Sequence, residues 1–314
     1  MENFDIAVIG GGPAGVTAAI YTQRNNLSTV VFEHKLIGGA ISTTTAVENA
    51  PGFNSIQGPD LGAKYEQQLD FLKVAKKFDS VTGIKKVEKG FELSCESGSA
   101  YFAKAVILAT GSEYRKLGIP GEDAFKGRGI SFCATCDAPF FKNKDVIVIG
   151  GGNTALTSAL LLSEHCKTVK LVHRRAEFRG EAVLVQQLKD KKVEFVLNKA
   201  PVEIKGDKFV TSVEVEDVNT KEKSSLPAQG IFINVGFEPL NSLAKQLGAE
   251  LTPAGFVKRN EAMETNVAGF FAAGDITGGM ANVKQIVTSE AEGCVAAASA
   301  YAYVKKASMS DINY

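Results

Sequence analysis

The chain has 314 residues, which is long for a single hydrophobic core and favours two domains. Its 35 basic and 35 acidic residues give a formal net charge of zero, so nucleic acid is not an expected partner. No apolar run approaches the roughly 20 residues that span a bilayer, and the N-terminus is unlike a secretory signal, so no membrane association is predicted. The cysteine count is five, an odd number without a disulfide-rich pattern, which makes a reducing cytoplasm the expected location.

A strand, a glycine turn and a helix open the chain. The apolar run Phe4 to Ile9 ends in Gly10-Gly11-Gly12-Pro13-Ala14-Gly15, and an alanine-rich helical stretch follows. In such a turn Gly10 permits the tight bend, Gly12 lets backbone N–H groups approach a pyrophosphate, and Gly15 lets the helix pack on the strand. The next apolar strand ends at Glu33, 23 residues after Gly10. A carboxylate there would accept a hydrogen bond from a ribose 2′-hydroxyl and repel a 2′-phosphate.

Between this unit and the middle of the chain lie four recognisable segments. The stretch from Gly38 to Gly52 is rich in small and hydroxylic residues, which suits either a flat ligand or a plain flexible loop. Helical spacing predicts a helix over Pro59 to Lys77, and a Lys-Gly turn predicts a hairpin over Ile84 to Cys95. The apolar run from Ala105 to Gly111 is typical of a strand buried in a parallel sheet.

The first unit recurs at an offset of 140 residues, from Gly10 to Gly150. A strand from Asp145 to Ile149 leads into Gly150-Gly151-Gly152-Asn153-Thr154-Ala155, and the next strand ends at His173 in the place of Glu33. Arg174 and Arg175 follow, with Arg179 one turn on. Because arginine suits a phosphate, this second site is predicted to prefer a dinucleotide with a 2′-phosphate, NADPH, although a solvated basic cluster is the alternative.

The segment Cys133-Ala134-Thr135-Cys136-Asp137 lies between the two units. Two cysteines at this spacing form either a redox pair or half of a metal site, and the weight of the flanking dinucleotide motifs favours redox. The other cysteines stand alone in the sequence, and no second close pair is present to complete a zinc site.

The last section holds a short strand that ends in Gly274-Asp275, followed by a small-residue helix predicted from Val283 through Tyr303. The Asp275 carboxylate would hold a ribose or ribityl hydroxyl, or else cap the helix.

Taken in order, these motifs resemble the low-molecular-weight thioredoxin reductases, which are pyridine nucleotide-disulfide oxidoreductases. The resemblance covers essentially the whole chain. It rests on the Gly10 to Gly15 turn with Glu33, Thr43 to Asn49, Ala109-Thr110-Gly111, Cys133 to Asp137, Gly150 to Ala155, His173-Arg174-Arg175 with Arg179, and Phe271 to Asp275.

The resemblance implies an α/β fold of two Rossmann-like, three-layer ββα domains. The expected boundaries are an FAD-binding domain from residues 1–113 and 242–314, with an NADPH-binding domain from residues 114–241 inserted and carrying the redox cysteines. A homodimer that acts on thioredoxin or a thioredoxin-like protein is expected.

The implied site residues fall into three groups. Those for catalysis are Cys133, Cys136 and Asp137, the last supplying or taking the proton that exchange requires. Those for FAD are Gly10, Gly12, Pro13, Ala14, Gly15, Glu33, Gly39, Ala40, Ile41, Thr44, Asn49, Ala109, Thr110, Gly111, Gly274, Asp275, Lys284, Gln285 and Ile286. Those for NADPH are Gly152, Asn153, Thr154, Ala155, His173, Arg174, Arg175 and Arg179. No metal is expected.

Three departures from the family pattern are visible. Asp137 is followed by Ala138-Pro139 where a glycine is common, Thr157-Ser158 replaces an acidic pair, and Lys284 stands where many members have arginine. Two alternative functions remain open on sequence alone. One is a related flavin enzyme that takes electrons from ferredoxin, serves another protein, or acts as a small-dithiol oxidase. The other is a non-catalytic nucleotide-binding module whose cysteines bind zinc.

Overall fold

The computed structural model describes residues 1–43 and 47–307. Its strands are β1 Glu2–Ile9, β2 Thr29–Phe32, β3 Ala75–Lys77, β4 Val81–Val87, β5 Gly90–Cys95, β6 Ala100–Leu108, β7 Ser112–Tyr114, β8 Ile130–Ser131, β9 Asp145–Ile149, β10 Thr168–His173, β11 Glu194–Leu197, β12 Lys199–Gly206, β13 Val210–Asp217, β14 Lys223–Pro227, β15 Gly230–Ile233, β16 Phe237–Pro239 and β17 Phe270–Ala272. Its α-helices are α1 Pro13–Arg24, α2 Gly58–Phe71, α3 Ala134–Asp137, α4 Asn153–His165, α5 Ala182–Asp190, α6 Ser242–Gln246 and α7 Ile286–Lys305.

The chain forms two compact units. One unit combines Met1–Glu113 with Pro239–Tyr314, and the other, Tyr114–Glu238, is inserted between these two segments. Short 3-10 helices occur at Gly39–Thr43, Ala138–Phe141, Asp275–Thr277 and Met280–Asn282.

The first unit is built on a sheet in the order β3-β2-β1-β6-β5-β4, with β17 also paired to β6. The pairs β1/β2, β1/β6, β2/β3 and β6/β17 are parallel, whereas β4, β5 and the start of β6 pair antiparallel. Because side chains alternate along a strand, Ile6 and Val8 join a core with helices α1 and α7. Ala7 and Ile9 instead join a core that includes Phe91 of the hairpin. Helices α1 and α7 therefore cover one face of the parallel strands, and the β4–β5 hairpin packs against the other face.

The second unit repeats this arrangement. Its parallel sheet has the order β11-β10-β9-β15-β8. Val146 and Val148 face a core shared with helix α4, and Ile147 and Ile149 face a core shared with strand β13. Strand β13 belongs to the antiparallel sheet β12-β13-β14. The predicted fold class, with two Rossmann-like units of three layers, is confirmed.

Two predicted boundaries are wrong. The helix predicted over Pro59 to Lys77 ends at Phe71, and residues Ala75–Lys77 form strand β3. The reason is tertiary pairing with β2, which needs a reversal at Lys73, where φ is +57°. The last helix begins at Ile286 rather than Val283, because Gln285 caps it. The Gln285 side chain accepts the N–H of Thr288, and the Thr288 hydroxyl accepts the N–H of Gln285, which together form a capping box.

Candidate redox centre and nucleotide sites

The first glycine turn is shaped by close backbone contacts. A Cβ on Gly10 would lie 2.3 Å from the Ala109 carbonyl oxygen, and one on Gly15 would lie 1.8 Å from the Gly10 carbonyl oxygen. At Gly12, by contrast, no described atom lies within 4 Å of such a Cβ. Helix α1 begins at Pro13, and no side chain of the described residues caps its first turn. This open face presents backbone N–H groups and the positive end of the helix dipole, which suits a pyrophosphate.

Glu33 lies at the end of β2 and is only 7% exposed. One carboxylate oxygen accepts the Gly11 N–H at 2.8 Å, and the other accepts the Lys35 N–H at 2.9 Å. The carboxylate is thereby fixed beside the glycine turn. Since its two oxygens have about four acceptor positions, it retains capacity for a ribose hydroxyl.

Three predicted segments meet this turn. Gly39 lies close to it, because a Cβ there would be 3.0 Å from the Gly12 Cα. The N–H of Ala109 donates to the Ile9 carbonyl at 2.8 Å. From the C-terminal segment, a Cβ on Gly274 would lie 2.8 Å from the Ala14 Cβ. Residues that are distant in sequence therefore converge on one end of the parallel strands.

The remaining predicted FAD residues are placed as follows. Ala40 and Ile41 lie in the 3-10 helix after Gly38, Thr110 and Gly111 follow β6, and Ile286 opens α7. The Asn49 amide donates to the Gln285 side-chain oxygen at 3.0 Å, which joins two predicted residues. Thr44 lies outside the described residues.

The carboxyl group of Asp275 and the amino group of Lys284 lie close enough for each to influence the pKa of the other. Burial raises the pKa of Asp275, and the positive charge of Lys284 acts against that rise. Burial lowers the pKa of Lys284, and Asp275 acts against that fall. The Lys284 ammonium also lies 4.9 Å from the centre of the Phe256 ring. Lys284 therefore places a basic group close enough to Asp275 to favour its ionised form.

Glu292 was missed by the sequence analysis. It is fully buried in α7 and accepts hydrogen bonds from the Gly274 N–H at 2.7 Å and the Thr277 hydroxyl at 2.9 Å. Arg259 donates to its other oxygen at 2.8 Å. This buried ion pair holds the strand end that carries Asp275. Its only sequence signal was an acidic residue within a helix of small residues.

The second glycine turn follows the same plan. A Cβ on Gly150 would lie 2.4 Å from the Asn234 carbonyl oxygen and 2.7 Å from the Ala155 Cβ, whereas Gly152 has no described atom within 4 Å. Helix α4 begins at Asn153, next to Thr154, and no described side chain caps it. Asn153 itself is engaged, because its amide donates to the Glu181 carboxylate at 2.8 Å. The turn is open on the side where a pyrophosphate binds.

His173 and the arginines behind it have different surroundings. His173 is 6% exposed, stacks on Phe178, and would clash with a Cβ on Gly151 at 2.2 Å. Burial is the main cause that lowers the pKa of His173; a hydrogen bond with the backbone of Glu177 acts against this fall, and the charges of the nearby arginines add to it. Its Nε2 atom has no hydrogen-bond partner within the described part of the chain. The imidazole therefore supports the turn as a neutral ring.

Arg174, Arg175 and Arg179 are all exposed. The backbone N–H of Arg179 donates to the Gly151 carbonyl at 2.7 Å, which anchors this loop beside the glycine turn. None of the ion pairs formed by the described residues involves these three arginines. They are the cations of the cluster that solvent and ligand can reach.

The redox pair lies at the start of helix α3. Cys133 and Cys136 form a disulfide with a Cα–Cα distance of 5.3 Å. Cys133 is the residue before the helix, and its sulfur accepts the Cys136 N–H at 3.2 Å. A helix N-terminus stabilises a thiolate, so the sulfur at this position is suited to thiol–disulfide exchange.

Asp137 follows the second cysteine and accepts a hydrogen bond from the Ser131 hydroxyl at 2.6 Å. Burial raises the pKa of this carboxyl, and the hydrogen bond from Ser131 acts in the opposite direction. A carboxyl whose pKa lies above its ordinary value is better able to carry a proton at neutral pH.

Cys95 and Cys166 are less suited to thiol–disulfide exchange than the redox pair. Burial is the main cause that raises the pKa of both Cys95 and Cys166 to about 11.

Within residues 1–43 and 47–307, no group of three His, Cys, Asp or Glu side chains is arranged to hold a metal ion. None of the helices in the same residues combines the length and apolar character that crossing a bilayer requires.

Comparisons with known proteins agree with this geometry. Residues 4–293 match the family model described as pyridine nucleotide-disulphide oxidoreductase. A thioredoxin reductase of Listeria innocua is 41% identical over 310 residues, which cover 96% of this chain and 94% of the relative. A thioredoxin reductase of Bacillus subtilis is also 41% identical, with 96% and 95% covered.

Among solved structures, a thioredoxin reductase from Streptococcus pyogenes superposes with a TM-score of 0.87 at 35% identity, covering 97% of this chain and 99% of that one. The family match and the relatives each extend over nearly the whole chain. The sequence-based prediction of the family is therefore confirmed, and the chain belongs to the pyridine nucleotide-disulphide oxidoreductases, among which its relatives are thioredoxin reductases.

Proposed function

We propose that this chain is an NADPH-dependent flavoprotein that reduces the disulfide of thioredoxin or a thioredoxin-like protein. The observation that carries the proposal is the Cys133–Cys136 disulfide at the start of α3, in the same unit as the second glycine turn. A disulfide at a helix N-terminus is suited to exchange, and the adjoining turn is suited to a dinucleotide.

FAD and NADPH are the cofactors of this enzyme family, and the residues of both glycine turns fit a dinucleotide. The fit rests on Gly12 and Gly152, where a Cβ would enter the open face of the turn without meeting a described atom. FAD accepts a hydride from NADPH and passes the electron pair to a disulfide. The side chains and backbone of the chain bind and position the nucleotides and transfer the protons.

We assign FAD to the unit formed by Met1–Glu113 and Pro239–Tyr314. The Gly10 to Gly15 turn would hold the pyrophosphate, Glu33 a ribose hydroxyl, and Asp275 a ribityl hydroxyl. The other residues assigned to FAD are Gly39, Ala40, Ile41, Thr44, Asn49, Ala109, Thr110, Gly111, Gly274, Lys284, Gln285 and Ile286. Their support is the close approach of Gly39, Ala109 and Gly274 to the first glycine turn and the hydrogen bond between Asn49 and Gln285.

We assign NADPH to the unit Tyr114–Glu238. Gly152, Asn153, Thr154 and Ala155 would place backbone N–H groups on the pyrophosphate. The exposed Arg174, Arg175 and Arg179 would bind the 2′-phosphate, and His173 would support the turn beneath them. The contrast with Glu33 at the same position of the first unit supports this division of the two nucleotides.

Disulfide exchange then proceeds on Cys133, Cys136 and Asp137. One cysteine thiolate attacks a sulfur of the partner disulfide, and the other partner sulfur leaves with the electron pair of the broken bond. Protonated Asp137 gives its proton to that leaving thiolate. Asp137 next takes a proton from the second cysteine, whose sulfur attacks the mixed disulfide, re-forms Cys133–Cys136 and releases the partner with one thiol and one thiolate.

Thioredoxin is the proposed partner because relatives that are 41% identical over 310 residues are named thioredoxin reductases. The alternative in which ferredoxin supplies the electrons has less support, since it would leave Arg174 and Arg175 without a purpose. A homodimer is proposed from the family resemblance. A cytoplasmic location is proposed because the five cysteines, an odd number without a disulfide-rich pattern, are typical of a protein from a reducing compartment.

The test is oxidation of NADPH by the purified protein with and without oxidised thioredoxin, under nitrogen. We expect turnover only with thioredoxin, and loss of turnover with retained yellow colour in Cys133→Ser and Cys136→Ser. The matched control Cys166→Ser removes a cysteine of the same unit outside the pair and should keep full turnover. Turnover that persists in both cysteine variants would refute the role of the disulfide. Rapid NADPH oxidation in air without thioredoxin would favour the oxidase alternative.

A further inference from the structure

Ser131, the last residue of β8, is 3% exposed, and its side chain contacts both Cys133 and Asp137. Its hydroxyl oxygen accepts the Cys133 N–H at 3.1 Å. The same hydroxyl is placed to donate either to Asp137 Oδ2, at 2.6 Å, or to the Cys133 carbonyl oxygen, at 3.3 Å. One buried side chain therefore contacts both the backbone of the redox cysteine and the proton-carrying carboxyl.

A hydroxyl has one hydrogen and two lone pairs, so its two donor options exclude each other. When Asp137 is ionised, the Ser131 hydrogen points to the carboxylate. When Asp137 is protonated, the acid O–H can donate to the Ser131 oxygen, and the Ser131 hydrogen can turn to the Cys133 carbonyl. The Cys133 N–H keeps its acceptor in both states, because it uses the second lone pair.

We propose that Ser131 is a positioning residue for proton transfer: its hydroxyl hydrogen turns between Asp137 and the Cys133 carbonyl as Asp137 loses and gains its proton, and its oxygen holds the Cys133 N–H throughout. This proposal rests on the proposed role of Asp137 in disulfide exchange. It adds a residue that lets both protonation states of Asp137 exist without a change in the backbone of the redox helix.

The surroundings of Asp137 leave Ser131 as its main polar influence. Helix α3 packs against helix α4 and the 3-10 helix Ala138–Phe141. The titratable groups of those two elements are Glu164 and His165 in the last turn of α4, and neither contributes to the pKa of Asp137. Within the described residues, the causes of that pKa are burial, which raises it, and the Ser131 hydrogen bond, which lowers it.

A second buried side chain supports the same segment. The Asn234 amide donates to the Phe132 carbonyl at 3.1 Å, in the residue between Ser131 and Cys133. Because Asn234 holds the segment independently, removal of the Ser131 hydroxyl is expected to change the titration of Asp137 more than the position of the backbone. This makes Ser131→Ala an informative variant.

The test follows the ¹³C chemical shift of the Asp137 carboxyl against pH in the oxidised, FAD-containing protein, with the signal identified by its loss in Asp137→Asn. A hydrogen bond to an ionised acceptor is roughly twice as strong as one to a neutral group. Losing it should raise the pKa of Asp137 by about one pH unit in Ser131→Ala. Ser131→Thr keeps a hydroxyl and should titrate like the wild type.

Ser163→Ala is the matched control, since the Ser163 hydroxyl donates at 2.6 Å to the carbonyl of Leu160 in its own helix. It should leave the Asp137 titration unchanged. In turnover, the limb of the pH profile that belongs to Asp137 should move upward with its pKa in Ser131→Ala and return in Ser131→Thr.

An unchanged titration in folded Ser131→Ala would overturn the proposal and leave Ser131 a purely structural residue. If that variant does not fold, the pair Ser131→Thr and Ser131→Val decides, because the two side chains have the same shape and differ in the hydroxyl. Equal titrations in that pair would also overturn the proposal. The NMR measurement uses no NADPH, so failure of NADPH to reduce the flavin would count against the proposed function alone.

Discussion

Arg174 and Arg175 provide the sharpest perturbation of the nucleotide assignment. Both directly follow His173, which ends β10 in the place that Glu33 has after β2, and both are exposed. Replacing both with alanine should weaken NADPH binding and leave NADH binding nearly unchanged, because the two nucleotides differ only in the 2′-phosphate. The backbone of the glycine turn, anchored by the Arg179 N–H, is untouched by these changes.

The magnitude follows from the exposure of the two side chains. A charge-assisted hydrogen bond contributes about 1.5–3 kcal/mol, whereas an exposed ion pair contributes about 0.2–1 kcal/mol. Two exposed arginines on one dianionic phosphate lie between these limits, so we expect a combined loss of about 2–3 kcal/mol. That loss corresponds to NADPH binding about 30- to 150-fold more weakly. NADH should bind within about twofold of the wild type.

The assay is equilibrium binding of each nucleotide to the oxidised protein by calorimetry, at low and at high salt. Salt should reduce the NADPH preference of the wild type, since exposed charges are screened. Lys208→Ala with Lys221→Ala is the control, because it also removes two exposed cations from this unit. Equal losses for NADPH and NADH in the arginine variant, or an equal loss of NADPH in the lysine control, would refute the assignment of the phosphate site.

Four further predictions concern the first glycine turn, Asp137 and the buried ion pair. Gly12→Ala should fold but purify with little FAD, since φ at Gly12 is −76° and a Cβ there would enter only the space proposed for the cofactor. Gly15→Ala should fail to fold, because its Cβ would lie 1.8 Å from the Gly10 carbonyl oxygen. Flavin absorbance measures the bound FAD, and circular dichroism measures folding. Asp137→Asn should lower thioredoxin turnover about 100-fold at neutral pH without slowing flavin bleaching by NADPH. Because the pKa of Asp137 is raised in the folded protein, ionisation of this carboxyl destabilises the fold as the pH rises above the ordinary pKa of 3.8. Asp137→Asn should therefore raise the melting temperature at pH 7, and the gain should shrink as the solution is acidified. Arg259→Ala removes the ion-pair partner of the buried Glu292 and should lower the free energy of unfolding measured in urea by about 3 kcal/mol or more. A loss near zero would show that this ion pair does not stabilise the fold.

Sequence patterns predicted the parts of the fold that depend on local chemistry. The two glycine turns could be identified because only glycine permits the backbone approaches at Gly10 and Gly15. The contrast between Glu33 and His173 was visible because the two units share one spacing. The predicted helix over Pro59 to Lys77 was wrong in its last part, where pairing of β3 with β2 overrides the helical spacing.

Other features of the candidate sites depend on contacts between distant residues. Glu292 and Arg259 are 33 positions apart, and nothing in either residue type indicates that the two form a buried pair. His173 was expected to act with the arginines, yet its position as the last residue of a buried strand places the ring under Gly151. Ser131 precedes the redox pair, but its contact with Asp137 requires the turn that α3 makes between them.

The most direct test of the account is anaerobic titration of the purified protein with NADPH, and separately with NADH, while the flavin absorbance is recorded before and after addition of oxidised thioredoxin. We expect NADPH to bleach the yellow protein at lower concentration than NADH, and we expect the colour to return once oxidised thioredoxin is supplied. A flavin that dithionite bleaches but NADPH leaves oxidised would contradict the proposed electron donor. A bleached flavin that stays reduced with thioredoxin present would contradict the proposed acceptor.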